Sequence, residues 1–103
     1  MTPAECRTRE DVRREIDRID RKLVDLLVER FGYIGRMAEM KDDPSEARVE
    51  ARVTEVLAKV TGLASERGLD PGLARRLWTI LMDWNIEWER QAIAARGERE
   101  KGR

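Results

Sequence analysis

An apolar stripe runs from Val12 to Met37, carried by Val12, Ile16, Ile19, Leu23, Leu26, Leu27, Phe31, Ile34 and Met37 at spacings of three and four. That period marks one face of an α-helix. No proline interrupts it, although Gly32 and Gly35 weaken its second half. The spacing predicts a helix over about Arg9 to Met40. At about 1.5 Å per residue such a rod is roughly 45 Å long, whereas a compact domain of about 100 residues has a radius of gyration of about 13 Å. The rest of a 103-residue chain is too short to cover the stripe. A second copy of the chain, pairing its own long helix against the first, meets that need, so the pattern predicts an intertwined helical-bundle homodimer.

The remainder is helical as well. Asp42-Asp43-Pro44-Ser45 ends the first helix, because a residue before proline avoids the α region, and Ser45 is placed to cap the second. That second helix is expected from about Glu46 to Arg67, with Val49, Val53, Val56, Leu57 and Val60 on its apolar side and Gly68 as its stop. Asp70-Pro71 pairs an N-cap with proline at the first helical position and starts a third helix. Its stripe is Leu73, Leu77, Ile80, Leu81, Trp84, Trp88 and Ala92, and the tryptophans at 78, 84 and 88 read as packing residues. The chain is therefore expected to be all-α: one domain over residues 1–94 and a charged, disordered tail over 95–103.

Composition removes several classes of chemistry. There is no histidine, so Ser-His-Asp, Cys-His and most zinc sites are excluded, and the single cysteine, Cys6, allows no intramolecular disulfide and no cysteine-rich metal cluster. No metal and no cofactor is expected. Lys+Arg equals Asp+Glu at 21 each, which leaves no net field to draw in a polyanion, so nucleic acid is not the expected partner. Neither a membrane span nor a secretory leader is evident, and the expected location is the cytoplasm.

The cations are the informative polar residues. Arg30 and Lys41 lie about 16 Å apart along the first helix and within about 20° of one face, where two long side chains can clasp one small dianion. Arg30 also falls on the seam that the four-three spacing continues from Leu26. The bland explanation is a snorkelling side chain; a cation held in the seam for a ligand is the sharper one. Arg13 sits about 25 Å from Arg30 and about 100° round the helix. To serve the same ligand it must come from the second copy.

With those residues placed, the chain resembles the all-helical chorismate mutase family, including its isochorismate-pyruvate lyase branch. The likeness covers about Pro3 to Gln91. It is carried by Val-Arg-Arg-Glu-Ile-Asp-Arg-Ile-Asp from Val12 to Asp20, Leu-Leu-Val-Glu-Arg from Leu26 to Arg30, Lys41, Gly68-Leu69-Asp70 and the end of the third helix. The resemblance implies a small dicarboxylate substrate gripped by basic side chains from two subunits. Arg13 matches the arginine reached across from the partner, Arg30 and Lys41 the cations of the first helix, and Arg52 the arginine of the second. Asn85 matches a small polar position and Glu89 one where members carry glutamine or glutamate. A one-turn slip would make Arg48 the second-helix ligand instead of Arg52.

Two departures bear on the substrate. Mutases of the family usually carry a glutamate just after the second-helix arginine, which accepts from the ring hydroxyl of chorismate. Here that position is Val53, and Val49 replaces another acidic residue, leaving Glu46 or Glu50 as candidate acceptors. The N-terminal Thr2-Pro3-Ala4-Glu5-Cys6 resembles the lyase branch. The implied activity is rearrangement of chorismate to prephenate, the alternative is cleavage of isochorismate to salicylate and pyruvate, and the alternative of another class is a non-catalytic helical dimerisation module. Both reactions are pericyclic and need no proton transfer, so a chain without histidine is equipped for them. On this view Arg13 and Arg30 hold carboxylates, Arg52 the ring-side charge and Lys41 the ether oxygen, while Glu89 assists only in its protonated form.

Overall fold

The computed structural model describes residues 1–102, which form three α-helices and two short 3-10 turns with no strand among them. The helices are α1 (Arg9–Glu39), α2 (Glu50–Arg67) and α3 (Pro71–Lys101), with the turns at Pro3–Glu5 and Pro44–Ala47. The all-α class is as the periodicities require. The chain divides into two compact units, Met1–Tyr33 and Ile34–Arg103.

In the first unit the chain enters α1 through a reciprocal cap. The Thr8 hydroxyl accepts from the Asp11 amide at 3.0 Å, and the Asp11 carboxylate accepts from the amides of Arg7 at 3.0 Å and Thr8 at 3.3 Å. The Arg7 amide, first among these, holds the Asp11 carboxyl below its usual range. Beyond the cap the unit buries no side chain: Val12, Ile16, Ile19, Leu23, Leu26 and Leu27 are between 45% and 60% exposed. Such a helix gains almost none of the tertiary packing that makes helices stable in water.

The second unit has a small core of its own. Ala38 from the last turn of α1, Ala47 from the 3-10 turn and Ile93 from α3 form a buried cluster, flanked by Ile86 and Trp88. Three small or medium side chains meeting there let three backbones approach closely, which draws the end of α1 and the 3-10 turn onto α3. Ala64 of α2 and Ala74 and Met82 of α3 are also buried, where α2 packs along α3. The turn between those helices agrees with the sequence reading. Gly68 adopts φ +83°, and Asp70 accepts from Gly72 at 2.7 Å and Leu73 at 3.3 Å to start α3.

Two boundaries differ from the sequence reading. α2 begins at Glu50 rather than near Glu46, because Asp43, not Ser45, is the cap: its carboxylate accepts from the Ser45 amide at 2.8 Å and closes the Pro44–Ala47 turn. Burial of Ala47 then pins that turn, and Arg48 and Val49 are extended. At the other end α3 continues to Lys101 instead of fraying near Ala95. Only one glycine, Gly97, falls in that stretch, and Arg96 ties it to the end of α1. Trp84, read as a packing residue, is 61% exposed in the single chain, while Trp88 does pack on the core cluster.

Ile93 is 1% exposed and bridges α3 to both other members of the cluster. Ile93→Ala is expected to cost about 2–5 kcal/mol and Ile93→Val about 1 kcal/mol, read from urea unfolding at fixed protein concentration. An alanine variant as stable as the parent contradicts this assignment of the core.

Candidate functional site

The second unit holds a buried charge pair. α1 tightens as it ends, with the Met40 amide donating to the Met37 carbonyl at 3.1 Å and the Lys41 amide to Ala38 at 3.3 Å. Lys41 is thereby placed just past the helix, and its ammonium lies 3.0 Å from Glu89 Oε1 on α3. Their side chains are 16% and 5% exposed. The same Oε1 is buried and makes no hydrogen bond among the described residues. The contact is one of charge at close range, and it leaves hydrogen-bonding capacity on the carboxyl for another group.

α3 supplies the pair's surroundings. Asn85, one turn before Glu89, is 5% exposed, so these two polar side chains, four residues apart on one face, are both taken inside. Polar groups at such depth are costly unless something partners them. The outer face of α3 behaves differently. There Arg90, and after it Gln91, pull the Glu87 carboxyl down to about 2, an exposed clasp between neighbouring turns.

The other residues singled out from sequence are more dispersed. Arg52 is exposed on α2 and pairs with Glu55 at 2.6 Å. Arg48 lies just outside α2 and donates to Asp83 of α3 at 2.6 Å and to Glu50 at 3.3 Å; the Asp83 bond, first of these, raises its already high pKa. Of the candidate acceptors, Glu46 accepts from the Asp42 amide at 3.1 Å and Glu50 is taken by Arg48. Val53 is partly buried and Val49 exposed. In the first unit Arg13 is exposed and contacts Glu10 at 3.4 Å, while Arg30 is partly buried. Thus Lys41 and Glu89 are brought together with Asn85 on the same face of α3, whereas Arg52 is engaged elsewhere.

Sequence reasoning overlooks Arg96. It donates from Nη1 to the Ala38 carbonyl at 2.9 Å and from Nη2 to the Lys41 carbonyl. The signal is present as the buried series Asn85, Glu89 and Ile93, whose next turn lands on Arg96, but a tail assigned from Ala95 onward sets that residue outside the helix.

A lysine–carboxylate pair and a buried amide thus lie on neighbouring turns in an all-α chain without histidine. Comparison with known proteins gives it a family. Residues 12–90 match the model of chorismate mutase type II. The chain is also 31% identical over 85 residues to a Pseudomonas aeruginosa protein named isochorismate pyruvate lyase, a match covering 82% of this chain and 84% of that one. The protein belongs to the type II chorismate mutase family.

The ion pair has a measurable signature. Lys41→Met leaves a carboxylate 5% exposed without its counter-charge and is expected to lower the unfolding free energy by about 3 kcal/mol at neutral pH. Adding Glu89→Gln removes the orphaned charge, so the double variant should recover about half of the loss. Urea unfolding of the single and double variants checks this, and strictly additive effects count against a coupled pair.

Proposed function

We propose that this protein catalyses the rearrangement of chorismate to prephenate in a site that two copies of the chain complete. The observation that carries this reading is the buried Lys41–Glu89 pair in a member of the chorismate mutase family. The reaction is pericyclic: the ether C–O bond breaks as the new C–C bond forms, with no proton gained or lost. The protein's tasks are to hold the enolpyruvyl arm over the ring and to stabilise the negative charge that grows on the ether oxygen.

Each residue has a task suited to its chemistry. Lys41, a compact point charge, is assigned to the ether oxygen, and Arg30 and the partner subunit's Arg13, with planar forks, to the carboxylates. Arg52 takes the ring-side charge once released from Glu55, and Asn85 supplies an amide beside Glu89. Glu89 donates to the same ether oxygen as Lys41 only when protonated. Ionised, it instead neutralises Lys41 and repels the oxygen. The pH profile of activity is therefore expected to differ between the parent and Glu89→Gln, which donates at every pH. A variant with the parent's profile removes Glu89 from this role.

The two-copy site rests on α1, whose apolar stripe is uncovered in the single chain. Its test is complementation. Arg13→Ala and Lys41→Ala should each be inactive as homodimers, yet subunit exchange should restore about a quarter of parental activity, because half of the dimers are mixed and each of these has one intact site. No recovery on mixing argues for sites built within one chain.

A second reading, cleavage of isochorismate to salicylate and pyruvate, is favoured by Val53, where a carboxylate that would accept from the hydroxyl of chorismate is absent, and by the relative's name. Incubation with each substrate separates the readings by product, prephenate against salicylate plus pyruvate. A folded dimer that turns over neither is the non-catalytic dimerisation module.

A further inference from the structure

We infer that Arg96 is a positioning residue for Lys41, fixing the backbone from which the ammonium projects toward Glu89. This inference rests on the assignment of Lys41 to the substrate's ether oxygen.

The final carbonyls of an α-helix lack partners within it. At the end of α1, Ala38 O accepts the Lys41 amide at 3.3 Å, and Lys41 itself is outside the helix. Within α1 only the Ala38 carbonyl holds Lys41, through its amide, and the Lys41 carbonyl is left to a partner outside the helix. Arg96 supplies what is missing: one guanidinium spans the Ala38 and Lys41 carbonyls, with the Ala38 bond at 2.9 Å. A positive group at this end also complements the helix dipole.

The register of α3 makes the arrangement stiff. Ile93, one turn before Arg96, is 1% exposed and packed on Ala38, so the residue beneath the clamp is locked to the carbonyl that the clamp grips. Seven residues separate Glu89 from Arg96, two turns of one helix face and about 10 Å. α3 thus holds Lys41 at both ends, its ammonium through Glu89 and its carbonyl through Arg96. The guanidinium side chain is 28% exposed and its ionic neighbour among the described residues, Glu100, stands 4.0 Å away, so the carbonyls are its principal partners.

A lysine at position 96 has no fork and can reach only one carbonyl at a time. Arg96→Ala is expected to lower kcat about tenfold with KM changed less than about twofold, since misplacement of a group that acts in the transition state costs rate more than binding, and Arg96→Lys should fall between. Independently of turnover, the acetylation rate of Lys41 in the folded protein, followed by peptide mass spectrometry, should rise several-fold in Arg96→Ala.

An unchanged Lys41 acetylation rate in a folded Arg96→Ala or Arg96→Lys protein overturns the inference. If Lys41→Ala abolishes turnover while Arg96→Ala leaves kcat intact, the inference alone fails. If Lys41→Ala itself leaves turnover unchanged, the functional assignment falls and this one with it.

Discussion

Opposite charges confined together out of water set the terms for the rest of this protein. Neither Lys41 nor Glu89 is stable inside without the other, since a lone buried charge costs several kcal/mol. Everything near them serves to keep them in register: the tightened end of α1, the cluster of Ala38, Ala47 and Ile93, and the Arg96 clamp. A well-packed apolar pair would hold the same elements together with less penalty. Retention of a charged pair at that depth is therefore not explained by the fold alone.

The pair also explains how a chain without histidine can host an enzyme's site. Where a reaction moves electrons round a ring and leaves protons in place, the protein contributes geometry and field. Arginine and lysine provide the field, and their fixed charge across the physiological range makes a titrating imidazole unnecessary. Preorganisation is then the scarce quantity, and the structure devotes two widely spaced positions on α3 to a single lysine.

Much of this is legible in the sequence. The three helices, the glycine stop at Gly68 and the Asp70 cap all come from local rules, because periodicity and capping act within a few residues. Family resemblance assigns Lys41 and Glu89 to one site, although they stand 48 positions apart in sequence. Their burial cannot be read from spacing, since nothing local says which face of α3 turns inward. The start of α2 is misplaced by sequence for a related reason: Ser45 and Asp43 compete as caps, and burial of Ala47, a tertiary fact, decides between them. Arg96 is hidden because composition suggests a frayed end, whereas two long-range hydrogen bonds to carbonyls hold that turn down.

The first 33 residues present a different problem from the rest. They contain a well-capped helix but no buried side chain, so this segment has no packing of its own to complete. Its resistance to proteases is set by whether another surface covers its leucines and isoleucines.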